Sequence, residues 1–256
     1  MSDTILLQRD GALARLTFNR PASLNAMDFE MGTRWRDLAH ELTSDDTVGA
    51  IVLDAAGPAF CAGGDVVQMA TSGGSGDTIT EMAGVIHDGI RTFVGSSIPM
   101  VASVQGAVAG GGLGLMLTAD YIVASARAVF VSKYANIGLT PDLGVSTLLP
   151  AAIGQRRALQ LLLTDTTIDA RTALEWGLIA EVIDEPGDRA EQVARAWLDG
   201  ATGAFGQAKR LVRAGFHRAF ADNLDDEART IGAAFDTDDS KTRVAAFAAA
   251  SRSRRS

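Results

Sequence analysis

Gly106-Ala107-Val108-Ala109-Gly110-Gly111-Gly112 is the stretch on which the reading of this chain turns. It follows a β-rich run, Val101 to Val104, and opens an apolar helical run, Leu113 to Ala119. It is therefore a strand-to-helix junction made of residues small enough to let another atom approach the backbone. A second junction of this kind lies upstream, where Phe60-Cys61-Ala62-Gly63-Gly64-Asp65 follows the β-rich run Ala50 to Leu53 and precedes the periodic Val66-Val67-Gln68-Met69. The first amides of a helix have no intrahelical acceptor and sit at the positive end of the helix dipole. Each junction serves either tight turning with close helix packing or the seating of negative charge, and two seats can grip one oxyanion. A dinucleotide fingerprint does not fit Gly106 to Gly111, because three consecutive glycines lack its spacing and no acidic residue follows a second strand as required.

Outward from these junctions, the first half of the chain alternates short β-rich runs with helical periodicity. Ile5 to Gln8 and Ala14 to Phe18 flank Asp10-Gly11 and predict a hairpin; Tyr121 to Ala124 and Val129 to Val131 predict further strands. Phe29 to Leu42 and Thr78 to Val94 predict helices, with Asp28 and Asp77 as N-caps. This alternation implies an α/β core with covered sheet faces. Thr71 to Gly76 is rich in Ser and Gly and is expected to be a mobile loop. From Gln155 onward the pattern is almost wholly helical: Gln155 to Leu163, Ala170 to Trp176, Asp188 to Leu198, Phe205 to Ala219, Leu224 to Ala234 and Lys241 to Ala249. Asp169 and Asp222 stand at N-cap positions, Gly177 and Gly200 at C-cap positions. A boundary at Glu185-Pro186-Gly187 divides a core, 1–186, from a C-terminal helical region, 187–256.

The 256 residues, 47% hydrophobic and 21% charged, suffice for a large core. A net charge of −8 argues against nucleic acid as partner, and the basic Arg252, Arg254 and Arg255 fit a solvated end. The most apolar region, Met100 to Leu117, is interrupted by Ser103, Gln105 and glycines, which disqualifies it as a membrane span. The start, Met1-Ser2-Asp3-Thr4, shows no export signal, so a cytoplasmic protein is expected. The single cysteine, Cys61, and three histidines, His40, His87 and His217, without ligand-like spacing predict no metal.

Several blocks then fall in register. Arg20-Pro21-Ala22-Ser23-Leu24-Asn25-Ala26, the Phe60 to Asp65 and Gly106 to Gly112 junctions, Ala119-Asp120-Tyr121-Ile122-Val123-Ala124 and Gly138-Leu139-Thr140-Pro141-Asp142 resemble, in order and spacing, the crotonase (enoyl-CoA hydratase/isomerase) superfamily. The resemblance runs from about Ile5 to Phe247. It implies a crotonase fold of repeated ββα units with a C-terminal helical trimerisation region, an acyl-CoA thioester as substrate, and a homotrimer or dimer of trimers. Backbone N–H groups of Ala62 and Gly111 would form the oxyanion hole, and Ala22, Leu24, Gly64, Asp65 and Val66 would line the adenine and pantetheine path. No cofactor beyond the coenzyme A of the substrate is implied.

The resemblance also frames the reaction. Hydratases of this superfamily use two glutamates, and the matching positions here are Gly114 and Tyr134. The acid left in that neighbourhood is Asp142, and the run Ile137 to Pro150 is most similar to ring-1,2-epoxyphenylacetyl-CoA isomerases. One carboxylate suffices to shift a double bond, since the base that takes a proton from C2 of a 3-enoyl thioester can return it at C4, whereas water addition needs a second group. Asp142 is thus the expected base, although its place after Pro141 also suits a helix N-cap. Hydratase-like or dihydroxynaphthoyl-CoA synthase-like chemistry and a non-catalytic acyl-CoA-binding protein are the rival readings. The superfamily often sets a lysine near its last helix against the CoA phosphate; Lys241 or Arg252 would have to stand in. Cys61, Asp120, the histidines and Trp35, Trp176 and Trp197 take structural roles in this reading, and Lys133 is a solvated lysine or a phosphate ligand.

Overall fold

The computed structural model of the protein describes residues 3–71, 74–164 and 166–253. The strands are β1 (Ile5–Asp10), β2 (Leu13–Phe18), β3 (Ala50–Ala55), β4 (Met100–Val104), β5 (Ala107–Ala109), β6 (Tyr121–Ala124), β7 (Val129–Val131), β8 (Ile168–Asp169) and β9 (Glu181–Val182). The helices are α1 (Phe29–Thr43), α2 (Val66–Thr71), α3 (Gly76–Gly95), α4 (Gly111–Leu117), α5 (Val145–Ile153), α6 (Gln155–Thr164), α7 (Ala170–Trp176), α8 (Pro186–Asp199), α9 (Thr202–Gly215), α10 (Phe220–Phe235) and α11 (Asp238–Ser253).

The β1–β2 hairpin, in register from Ile5 opposite Phe18 to Asp10 opposite Leu13, turns at Gly11 with φ +57°. It leads a six-stranded sheet, β1-β2-β3-β4-β6-β9, parallel from β2 onward. A smaller sheet, β5-β7-β8, stands beside it. Alternating side chains send Leu16, Phe18, Ile51, Leu53 and Ala102 to one face of the large sheet, where they meet Met31, Trp35 and Leu38 of α1 and Phe93 of α3. Phe18 links the aromatic cluster, with ring centroids 6.0 Å from Trp35 and 5.4 Å from Phe60, while Trp35 lies 4.8 Å from Phe93. Leu13, Val52, Val101 and Val123 point the other way and are covered by Ala190 and Ala194 of α8. The covered faces are those the alternation of strands and helices implies.

Caps explain several boundaries. Asp28 accepts from the Met31 amide and starts α1, and Asp169 accepts from the Thr172 amide and starts α7. At α3 the structure corrects the expected cap: Ser75, not Asp77, accepts from Thr78, whose hydroxyl answers in a capping box. Likewise α10 opens after Ala219, which leaves Asp222 in its first turn, where its charge meets the dipole without capping. Of the expected 71–76 loop, residues 72 and 73 lie outside the described residues, as do 254–256 of the basic end. Pro186 begins α8 at the boundary drawn from the sequence, yet α8 completes the core, and helices α9 to α11 extend beyond it.

Candidate active site

The two glycine junctions are joined by main-chain bonds. Cys61 N–H donates to Ala107 O at 3.2 Å and Ala109 N–H to Cys61 O at 3.0 Å, so the upstream junction runs beside β5. Glycine is required for this approach: a Cβ on Gly63, which has φ +99°, would lie 2.9 Å from Ala109 O and 3.4 Å from Gly111 N, and one on Gly112 would lie 2.4 Å from Cys61 O. As first residue of α4, Gly111 has no acceptor for its N–H within the helix, and none elsewhere among the described residues. The Ala62 N–H differs from its sequence-based role: it is already donated to Leu24 O at 3.0 Å. Among the described residues the amides of that junction without an acceptor are those of Phe60, Gly63 and Gly64, and Gly64 lines a cavity shared with Asp142.

That cavity, about 30 Å³, is walled by Met27, Phe29, Met69, Ile79, Met82 and Ile86 and closed by Asp142 and Leu143. Asp142 is not a helix cap. Gly144 precedes α5, and the Asp142 side chain instead accepts from the Tyr134 hydroxyl at 2.5 Å through Oδ1. The same oxygen lies 3.5 Å from where a Cβ on Gly111 would stand. Burial raises the Asp142 carboxyl above the ordinary aspartate range, ahead of the opposing pull of the Tyr134 hydroxyl. Tyr134, itself buried, is raised well above an ordinary phenol, first by burial and then by the Asp142 charge, so it stays a donor. His87 joins from α3: its Nε2 accepts from Leu143 N–H at 3.0 Å.

Gly114 explains how this turn reaches the site. A Cβ there would stand 1.9 Å from Leu143 O and 2.8 Å from Leu143 C, so the chain of the 142–143 turn occupies the space of the side chain that Gly114 lacks. The residues expected along the coenzyme path fall as follows. Ala22 lies in the 3-10 turn Pro21–Ser23, and Leu24, with φ +51°, touches the upstream junction through the bond to Ala62. Arg20 pairs with Asp65 at 3.0 Å and Asp28 at 2.9 Å, and Asp65 accepts from Gln68 N at the start of α2, beside the exposed Val66. Burial alone would raise Asp65; the Gln68 amide and Arg20 more than reverse it and hold it below the usual carboxylate range. Cys61 is fully buried, its thiol pushed up to about 12, and it remains protonated at neutral pH. Lys241 and Arg252 stand on α11.

With the geometry in place, comparison with known proteins decides the family. A model of the enoyl-CoA hydratase/isomerase family matches residues 8–253. The chain belongs to this family. A Mycobacterium tuberculosis protein (strain CDC 1551 / Oshkosh) named as a probable enoyl-CoA hydratase is 32% identical over 252 residues, 96% of this chain and 95% of that protein. The 1,2-epoxyphenylacetyl-CoA isomerase of Escherichia coli (strain K12) is 32% identical over 216 residues, 83% of this chain and 82% of that enzyme. A structure from Thermobifida fusca YX, titled as an enoyl-CoA hydratase in complex with acetoacetyl-CoA, superposes with a TM-score of 0.83 at 26% identity, covering 91% of this chain and 95% of that one. The crotonase fold expected from the sequence is thereby shown.

In this crotonase-family enzyme the candidate site includes two groups whose bonds sequence reasoning did not assign. Tyr134 entered as the position of a missing glutamate and as apolar lining beside Asp142, with no hydrogen bond assigned to its hydroxyl, and His87 as a packed or surface histidine. The one local hint for His87 is that it follows Met82, Ala83 and Ile86 on α3, residues that wall the cavity. Asp120 takes the structural role expected of it: it accepts from Met100 N at 2.9 Å and pairs with Lys209 and Arg213, each at 3.0 Å. Among the described residues no group of His, Cys, Asp and Glu is placed to hold a metal ion, and no helix is long and apolar enough to cross a membrane.

Proposed function

We propose that this protein is an acyl-CoA isomerase that shifts a double bond, or rearranges a ring, through an enolate of the thioester. The Gly111 amide and, in place of Ala62, the Gly64 amide take the thioester oxygen. Asp142 removes the C2 proton of a 3-enoyl thioester and returns it at C4 of the dienolate. Ala22, Leu24, Asp65 and Val66 flank the bound coenzyme, and no further cofactor takes part. Each amide aimed at the developing charge lowers the barrier by roughly 2.7–4 kcal/mol, by analogy with other oxyanion holes.

The observation that carries this reading is the placement of Asp142: a partly buried carboxylate with a raised pKa, on the wall it shares with Gly64 and 3.5 Å from the Cβ position of Gly111. The Gly114 geometry counts against hydration. A glutamate there has no room while Leu143 O stands 1.9 Å from its Cβ position, so the two-carboxylate arrangement for activating water is lacking. Likeness to the 1,2-epoxyphenylacetyl-CoA isomerase favours the same side; likeness to proteins named as hydratases keeps water addition as the alternative the experiment must separate. Acyl-CoA binding draws support from the relative solved with acetoacetyl-CoA. The apolar side chains exposed on α10 and α11, among them Phe220, Ile231 and Phe247, suit burial between copies in a trimer or a pair of trimers.

Incubation with 3-enoyl, 2-enoyl and ring-epoxide CoA thioesters in deuterated water tests the reaction. Isomerisation places deuterium at C2 or C4 with no gain of water. A 3-hydroxyacyl product accumulating faster than exchange would replace isomerase by hydratase.

A further inference from the structure

We infer that His87 is a positioning residue for the base, holding the Asp142–Leu143 turn by accepting the Leu143 amide proton on Nε2; this rests on the reading of Asp142 as the base. Three observations converge on it. Leu143 has φ +47°, in the left-handed region that a leucine adopts only where its surroundings over-determine it. Leu143 is buried, at 2% exposure, so its N–H needs a protein partner, and His87 Nε2 at 3.0 Å is the one it has. On the other side the Leu143 carbonyl is wedged against Gly114. The residue after the base is therefore gripped at both of its polar main-chain atoms, by α3 through His87 and by α4 through the missing side chain of Gly114. Asp142 precedes that grip directly, so the grip sets where its carboxylate points, towards Tyr134 and Gly111.

As an acceptor, Nε2 carries no proton, and the neutral ring carries its proton on Nδ1. This arrangement differs from that of a His acting on a carboxylate directly, because the bond runs to the main chain of the next residue. It also ties the base to the acyl pocket: Met82 and Ile86, on the same helix as His87, wall the cavity, so α3 both shapes the acyl site and aims the carboxylate.

The test compares H87L, which keeps bulk and loses the acceptor, with H87Q, whose Oε1 can take the place of Nε2. In H87L, kcat for C2 deuterium exchange on a 3-enoyl-CoA is expected to fall about 10–100-fold, since a small misplacement of a catalytic group has effects of that order. KM is expected to stay within about twofold, because the coenzyme path lies elsewhere. By NMR, amide hydrogen exchange at Leu143 should quicken in H87L beyond any change at Val145, whose own acceptor, Asp142 O, is untouched. H87Q should restore both readouts. Leu143 exchange unchanged in H87L, or kcat within twofold of the parent, overturns the inference, as does H87Q behaving like H87L. The base is tested separately with D142N: full activity there removes the base reading, while Leu143 exchange still decides whether His87 holds the turn. Should H87L not fold, exchange at Leu143 in the parent and in H87Q carries the decision, rapid exchange in the folded parent counting against the bond.

Discussion

Two carboxylates withdrawn from solvent sit at opposite ends of α4, and they are treated in opposite ways. Asp120, just past its C-terminal end, is answered by two cations and an amide: Lys209 Nζ and Met100 N on Oδ2, and Arg213 on Oδ1. Arg213 also reaches the carbonyls of Leu117, Thr118 and Ala119, and so satisfies the end of the helix while it docks α9. Asp142, near the N-terminal end, is answered by a neutral phenol and a histidine that bonds the neighbouring peptide. The cavity around Asp120 is far larger, about 520 Å³ against about 30 Å³. Incomplete charge compensation, and not cavity size, is what singles out Asp142 in the proposed reading.

The sharpest break in this comparison is D142N. If the under-compensated carboxylate is the base, deuterium exchange into a 3-enoyl-CoA falls about 10²–10⁴-fold, the usual contribution of such a group. Stability should not fall with it. Because the folded-state pKa of Asp142 is raised, the proton-linked stability it contributes is full below the unfolded-state value and lost as pH rises through the folded one. At neutral pH the ionised group is thus a burden that asparagine removes, and urea unfolding at pH 7 should show D142N at least as stable as the parent. A loss of stability with full activity would invert the roles assigned to the two acids.

Asp120 should respond the other way. D120N leaves the Lys209 ammonium, whose side chain is 4% exposed, and Arg213 without their shared counter-charge, and breaking such a buried pair costs about 3–5 kcal/mol. Urea unfolding should register that loss, while exchange per folded molecule at low temperature stays near the parent value. Gly114 connects the two ends, since it lies in the middle of α4 and the main chain of the 142–143 turn is packed against it. G114A must displace Leu143 O, which a Cβ would meet at 1.9 Å, and overpacking of this kind costs about 1–3 kcal/mol. Its exchange rate should fall with the stability, because the displaced atom belongs to the turn that carries the base; a G114A protein with unchanged activity would show the turn to be less tightly coupled than its packing indicates.

What the sequence disclosed and what it hid follow the same division between local and distant causes. The strands at 121–124 and 129–131, the helix after Asp28 and the αL turn at Gly177 are set by periodicity and capping within a few residues, and they stand where the sequence puts them. The two glycine junctions were legible as places where backbone is bare. Which of their amides is free was not, because Leu24 O, remote in sequence, takes the Ala62 N–H and leaves that of Gly64. Asp142 was legible as an acid left over at the Gly114 and Tyr134 positions, with Tyr134 and Leu143 as apolar lining, but the hydrogen bonds around it were not. His87 meets the 142–143 turn only once α3 has packed across the sheet, and nothing in the spacing of a lone histidine forecasts a main-chain amide as its partner. Ser75 displaced Asp77 as the cap of α3 because both types cap well and only the geometry of that turn chooses between them.

The smallest effect is also the most diagnostic of how Asp142 is tuned. Tyr134 donates to the charged form of the carboxylate and so opposes the upward push of burial. Y134F removes that donor and leaves the ring, so burial acts with less opposition and the Asp142 pKa should rise further. A base works only when deprotonated; the acid limb of the kcat profile should therefore move to higher pH in Y134F, while the plateau above it changes by less than about threefold, since the carboxylate is still present there. The sign separates two roles for the phenol. If Tyr134 instead handed its proton to the dienolate, the plateau itself would collapse and the acid limb would stay in place. Profiles of kcat for parent and Y134F, measured on one 3-enoyl-CoA at saturating concentration, distinguish the two, and a limb that moved to lower pH would mean that the hydroxyl does not stabilise the carboxylate at all.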